Sequence, residues 1–151
     1  MKIYLAGPIS GLSYNEVVSR YTAAKITLEA AGYTVYHPMT GKTHLRNELE
    51  FKAKNYNNSP ISTNHAIIER DHWMVDQVDM VLADLTNGVS RVSIGTCFEL
   101  AWAAAQGKHT IVVMQENNIH QHAFVIEAAD IIFETLEEAT SYLIELAGLN
   151  K

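Results

Sequence analysis

Cysteine occurs once in this 151-residue chain, as Cys97. That excludes an intrachain disulfide and suits a reducing compartment, and the thiol itself reads as a small buried residue. Basic residues are also scarce: 11 Lys and Arg stand against 17 Asp and Glu, a formal net charge of -6. With no Lys/Arg stripe, a nucleic-acid-binding surface is not expected, and an anionic ligand needs locally placed donors. No apolar run approaches the length of a membrane span, and no signal peptide precedes the first strand, so the expected location is the cytoplasm. The seven histidines include no pair with metalloprotease spacing and no Cys/His cluster, so no metal site is expected. Gly7 and Gly11 do not form a dinucleotide fingerprint, and there is no phosphate-loop lysine motif. Neither nicotinamide nor ATP chemistry is indicated, and no cofactor is expected.

What is present suffices for one compact domain. Hydrophobic residues make up 48% of the chain, and a fold of this size buries about 68–70% of its unfolded surface. Patterning predicts strands at about 2–6, 34–37, 80–84, 110–114 and 131–133, and helices at about 14–31, 64–77, 94–106 and 135–147, with a short segment after the fourth strand. This alternation predicts an α/β, doubly wound parallel five-stranded sheet with helices on both faces and right-handed crossovers. Ala31-Gly32 and Gln106-Gly107 read as helix stops. No repeat or interdomain linker interrupts residues 1–151. An irregular polar segment spans about 40–62. Its Lys42–Pro60 stretch, with Lys52, Lys54, Asn55, Asn57 and Asn58, reads as too polar for core. A substrate-side lid, an oligomer arm and a plain disordered loop are the alternatives.

Three stretches carry chemistry. In Ser93-Ile94-Gly95-Thr96-Cys97-Phe98-Glu99-Leu100-Ala101-Trp102, Glu99 lies one turn past a Ser/Gly/Thr helix start that itself follows the apolar Met80–Asp84 strand. Leu100, Ala103 and Ala104 can pack on the sheet, while Gly95, Thr96 and Glu99 share another face, and Gly95 leaves room above the carboxylate. A carboxylate there looks out from the sheet's end beside free helix amides; the competing reading is an ordinary solvated glutamate. The opening Met1-Lys2-Ile3-Tyr4-Leu5-Ala6-Gly7-Pro8-Ile9-Ser10-Gly11 is a strand breaking into a Gly/Pro/Ser turn, where ligands of open α/β sheets bind. Tyr4 is equally readable as a plain strand tyrosine. The third stretch is Glu69–Asp79, an amphipathic helix with Asp71 off its apolar stripe. His37, Pro38 and Met39 end the second strand and border a candidate base pocket. His120 and His122 share a loop and suit a solvated or phosphate-facing role, and Trp73 and Trp102 read as packing residues.

Together these residues resemble the nucleoside 2-deoxyribosyltransferase family, including its 2'-deoxynucleoside 5'-monophosphate N-hydrolase branch. The resemblance rests on an opening Tyr-x-x-Gly-x-Ile, an Asp before the third strand, and a Gly-x-x-x-Glu-Leu helix followed by Gln106-Gly107-Lys108 and a strand. It covers nearly the whole chain except the segment between Thr40 and Ser62. It implies flavodoxin-like architecture, Glu99 as nucleophile, Tyr4 as the residue that orients it and Asp71 as the acid that handles the base proton. Glu99 is then expected to be ionised, aided by Tyr4 and the helix amides. Ser93 stands where nucleoside-specific relatives carry an aspartate and nucleotide hydrolases a serine. The resemblance therefore implies a 5'-phosphate held by Ser93 and the Gly7, Ile9, Ser10 and Gly11 turn, with Gly95 alongside. Ser93 also reads as a simple helix cap. Two positions depart from the hydrolase pattern: Ser10 replaces a common arginine, and His122 aligns with a phosphate-contacting serine supplied by a neighbouring subunit. The expected partner is a small-molecule nucleotide or nucleoside, and the expected assembly a homodimer or higher homo-oligomer. Base exchange by a deoxyribosyltransferase, or a catalytically idle nucleotide-binding protein, are the alternatives.

Overall fold

Side chains alternate across a strand, so each strand feeds both faces of its sheet. In the computed structural model, which describes residues 1–54, 56, 59–86 and 90–148, the five predicted strands are all parallel. They are β1 (Lys2–Ala6), β2 (Thr34–Tyr36), β3 (Met80–Asp84), β4 (His109–Val113) and β5 (Ile131–Phe133), in the order β2-β1-β3-β4-β5. Ile3, Leu5, Met80 and Leu82 project to one face, where Val17, Tyr21 and Leu28 of α1 (Tyr14–Ala30) and Leu143 of α5 (Leu136–Gly148) cover them. Tyr4, Ala6, Val81 and Ala83 project to the other. There they meet Met74 and Val75 of α2 (Asn64–Asp76), Leu100 and Ala103 of α3 (Ile94–Ala105) and Val125 of α4 (Ala123–Ala128).

Local chemistry sets the element ends. Ser13 and Glu16 form a reciprocal capping box at the start of α1, and Thr63 accepts from the Ala66 amide at the start of α2. Gly107, at φ 67, lets the chain leave α3 where a side chain would be strained. The six-residue α4 lies in what sequence patterning marks only as a short segment; fewer than two turns carry no readable 3.6-residue period. Among the described residues, no helix is long and apolar enough to cross a membrane.

β1 lies between β2 and β3, so the chain steps to opposite sides of β1 and the connections at the carboxyl ends of β1 and β3 diverge. The crevice between such ends is where open α/β sheets bind ligands.

The segment at 40–62 departs from its sequence reading. Leu45, Phe51 and Tyr56 are buried and join the core on the α1 face. The Gly11 amide donates to Phe51 O (3.0 Å), the Phe51 amide to Leu12 O (2.8 Å), and the Tyr14 amide to Glu48 O (2.9 Å). The segment is thus pinned along the β1–α1 connection. Its apolar residues lie too far apart to register as a strand or helix, so the polar residues between them dominate the composition. Asn55, Asn57 and Asn58 lie outside the described residues. Phe51→Ala should cost about 3–5 kcal/mol in urea unfolding, as for a core phenylalanine; a plain surface loop would show less than about 0.5 kcal/mol.

Candidate active site

Tyr4 sits in the middle of β1, paired in register with Tyr36 and Val81, and its ring has no exposure. Only its hydroxyl reaches past the sheet, donating to Glu99 Oε1 at 2.6 Å. Glu99 is 5% exposed and forms part of the lining of a pocket of about 570 Å³. The neighbouring Leu100 and Ala103 anchor α3 on the sheet, which turns Glu99 toward the pocket. Ala104 does not join that core cluster. The Glu99 carboxyl is pushed up to about 8, first by burial and then by the charge of Asp71, while the Tyr4 hydrogen bond and Lys42 pull it down less strongly. Burial thus works against the ionised Glu99 that the expected chemistry requires. Helix amides give no help, because Glu99 is the sixth residue of α3 and lies beyond the free N–H groups of the first turn.

Asp71 lines the same pocket from α2 and is buried. Arg70 holds it, with Nε at 3.3 Å and Nη2 at 3.4 Å from Oδ1, and Arg70 Nη1 also donates to Ile61 O (3.3 Å). Burial raises the Asp71 carboxyl, against Lys42 and Arg70, which lower it. Lys42 enters from the polar segment. It is 6% exposed, and burial lowers its ammonium against the opposing pull of Asp71.

The turn after β1 forms another wall through Gly7, Pro8, Ile9 and Ser10. α1 fixes it from behind: Arg20 Nη2 donates to Pro8 O (2.7 Å) and the Tyr21 hydroxyl to Gly7 O (3.2 Å). Gly7 permits close packing here, since a Cβ would stand 2.8 Å from Asp84 O. Opposite, Arg91, Ser93, Gly95 and Thr96 close the pocket. A Cβ at Gly95 would meet no protein atom within 4 Å, so its missing side chain is pocket space. Ser93 is the N-cap residue of α3, but its side chain makes no capping bond; Oγ instead shares a hydrogen bond with Thr96 Oγ1 at 2.9 Å. The Ser93 amide donates to His120 Nε2 (2.8 Å), which puts the imidazole proton on Nδ1, facing Asn118 Oδ1 at 2.8 Å.

Seven of the ten site residues read from sequence line this pocket: Gly7, Ile9, Ser10, Asp71, Ser93, Gly95 and Glu99. Tyr4 stands directly behind Glu99. Gly11 lies outside the lining, at φ 87 on the far side of the turn. His122 is exposed, caps α4 and meets Phe124 edge-on, away from the pocket of its own chain. His120 and His122 do not share a role: His120 is buried and positions the start of α3. Pro38 and Met39 border the pocket, whereas His37 stacks on Tyr21 at 5.3 Å and burial draws its imidazole down to about 4. Trp102 packs on His72 and Phe98; Trp73 is exposed, contrary to its reading as a packing residue. Lys42 and Arg91 are among the pocket residues that sequence reading passes over, because each lies in an irregular stretch without periodicity. Among the described residues, no group of three His, Cys, Asp or Glu is placed to hold a metal ion.

Known proteins share this framework. The 2-deoxyribosyltransferase of Bacillus psychrosaccharolyticus superposes with a TM-score of 0.67 at 18% identity, over 94% of this chain and 92% of that one. The Clostridium botulinum CMP N-glycosidase BcmB superposes with a TM-score of 0.56 at 21% identity, over 95% and 98%. No curated protein sequence matches the chain. At these identities the likeness is one of fold. The nucleoside 2-deoxyribosyltransferase family model, however, matches residues 3–145, and with the five-stranded parallel sheet and helices on both of its faces it decides the assignment: the chain belongs to the nucleoside 2-deoxyribosyltransferase family of enzymes.

Proposed function

We propose that the protein hydrolyses the N-glycosidic bond of a (deoxy)nucleoside 5'-monophosphate through a covalent glycosyl-Glu99 intermediate, releasing free base and sugar 5-phosphate. The observation that carries this reading is a buried carboxyl, gripped by the Tyr4 hydroxyl at 2.6 Å, in the same pocket as a second buried carboxyl, Asp71. One attacks while the other supplies a proton, as in retaining glycosidases. Burial and mutual repulsion favour sharing a proton between the two carboxyls. Transfer of that proton from Glu99 to Asp71, directly or through water, leaves the pocket's net charge unchanged and arms both groups. Glu99 Oε then bonds to C1' as the C1'–N bond breaks, and Asp71 protonates the departing base. Water next adds to C1', freeing the Glu99 carboxylate, and its proton returns to Asp71.

Phosphate selectivity rests on donors at the other end of the pocket. Ser10 and Ser93 offer hydroxyls, and Arg91 adds a guanidinium, with Nη2 4.0 Å from where a Gly11 Cβ would lie. Arg91 therefore reaches the turn in which Ser10 stands for the arginine common in nucleotide hydrolases, and supplies that charge from the loop after β3. The second reading is base exchange, in which a free base replaces water in the last step; the family model favours it.

An exposed apolar face supports a multimeric assembly. Ile94 and Phe98 on α3, Trp73 on α2 and Phe124 on α4 are all substantially exposed, and such a surface suits a second copy of the chain. His122 caps the same α4 and lies outside the pocket lining of its own chain, so a role on phosphate would need a neighbouring copy. Sedimentation at micromolar concentration should give a dimer or larger; a fully active monomer overturns the assembly.

Glu99→Gln should abolish base release, and near-wild-type turnover would remove Glu99 as nucleophile. The same variant tests the proton inventory. A folded-state value of about 8 against an ordinary 4.5 means wild-type stability falls as pH rises from about 4.5 through 8, because folding then retains a proton that the unfolded chain releases. Gln avoids this loss. Glu99→Gln should therefore melt near the wild type at pH 4 and higher at pH 9, by roughly 5–10 °C for a difference on the order of a few kcal/mol. A constant offset across that range would contradict the assignment.

Substrate class is read by incubating nucleotides and nucleosides, with and without a second free base, and following base release by chromatography. Ser93→Ala should weaken monophosphates about ten- to a hundredfold and leave nucleosides little changed, while Ser93→Asp should invert the preference by charge repulsion. A wild-type preference for nucleosides, with transfer to the added base, would favour the transferase.

A further inference from the structure

The reaction as written gives no part to Lys42. Its backbone is locked by a turn, its amide donating to Met39 O (3.1 Å) and its carbonyl accepting from the Leu45 amide (3.0 Å). The buried side chain is part of the pocket lining, among Pro38, Met39, Leu45 and Phe51. Among the described residues, no acceptor lies within hydrogen-bonding distance of Nζ, and no carboxylate pairs with it within 4.0 Å. Asp71 acts on the ammonium more strongly than Glu99 does. Lys42 and Asp71 line the same pocket, so the cation shares the space into which the base leaves. With no protein partner, the ammonium's three protons are open to an anionic or strongly accepting ligand group in the pocket that Lys42 lines.

Building on the N-glycosidase reading, we propose that Lys42 is a catalytic residue that takes up negative charge on the departing base, and that the preferred base is a pyrimidine, with a carbonyl oxygen beside its glycosidic nitrogen. When the C1'–N1 bond breaks, its electron pair stays with the base and spreads onto that neighbouring O2. Glu99 Oε forms the new bond to C1', the Asp71 proton goes to the base, and Lys42 keeps its three protons while donating a hydrogen bond to O2. A donor that strengthens as charge develops stabilises the transition state more than the ground state. In a purine the corresponding charge spreads over a fused ring whose nearest flanking acceptor is a nitrogen, so a localised oxygen suits the compact ammonium better. Apolar Pro38, Met39, Leu45 and Phe51 give such a ring flat walls beside the cation.

The experiment measures kcat/KM for base release by wild type, Lys42→Met and Lys42→Arg. The substrates are uridine, 5-fluorouridine and adenosine monophosphates in ribo and deoxyribo form. Fluorine at C5 eases departure of the base without touching the C2 carbonyl. Wild type should favour the pyrimidines. Lys42→Met should lose about ten- to a hundredfold on uridine monophosphate, distinctly less on the 5-fluoro analogue and least on adenosine monophosphate. Lys42→Arg should recover part of the loss. Melting temperature keeps the comparison sound: Lys42→Met should melt close to wild type, since Nζ has no protein partner to lose. If that variant does not fold, Lys42→Gln is read in its place. Equal losses on all substrates, no loss, or a wild-type preference for adenosine would overturn the role of Lys42 while base release still supports the glycosidase reading. Absence of base release from every nucleotide and nucleoside would remove that reading, and this inference with it.

Discussion

A carboxyl group held away from water must be supported by something, and here the support is a tyrosine hydroxyl with no freedom of its own. The Tyr4 ring is enclosed by the sheet and by α2 and α3, and its phenol is driven well above its usual range by burial and by Glu99. It is therefore a dependable donor that never competes for the charge. The geometry of the pocket follows from that contact. Glu99 ties α3 to the middle of β1, the turn after β1 becomes another wall, and Asp71 on α2 stands close enough for the two carboxyls to feel each other. Burial sets both the position of Glu99 and its hold on a proton, and the two cannot be tuned independently.

Most of the frame was legible in the sequence, because strands and long helices announce themselves by period. β1, β3 and β5 fall where alternation and apolar runs put them, and the termini of the longer helices agree within a residue or so. Glu99, Asp71 and Tyr4 could be picked out because each interrupts a regular pattern: a carboxylate on a small-residue helix, an acid off the stripe, a hydroxyl on a buried strand. What stayed hidden belongs to irregular backbone. Lys42 and Arg91 reach the pocket through turns whose direction depends on contacts made far along the chain. The burial of Leu45, Phe51 and Tyr56 could not be read from a stretch whose neighbours are so polar. The burial that works against an ionised Glu99 was hidden for a related reason. A sequence displays possible hydrogen-bond partners, but it does not display how little water is left around them.

The segment at 40–62 links stability to recognition. Leu45 and Phe51 belong both to the core on the α1 face and to the pocket lining, so the same atoms contribute to folding and shape the space for the ligand. Arg70 adds a second link, since it holds Asp71 and the carbonyl of Ile61 together. The wall and the Asp71 carboxyl thereby share one guanidinium.

The Tyr4–Glu99 contact joins residues 95 positions apart. During folding or synthesis that pairing has to wait until three strands and the helices between them have docked, because loop closure over such a separation comes late. Until then Glu99 is an ordinary acid in water, and the chain holds no reactive pocket. The pocket thus arrives with the completed sheet, and a partly folded chain presents no such pairing of Tyr4 and Glu99.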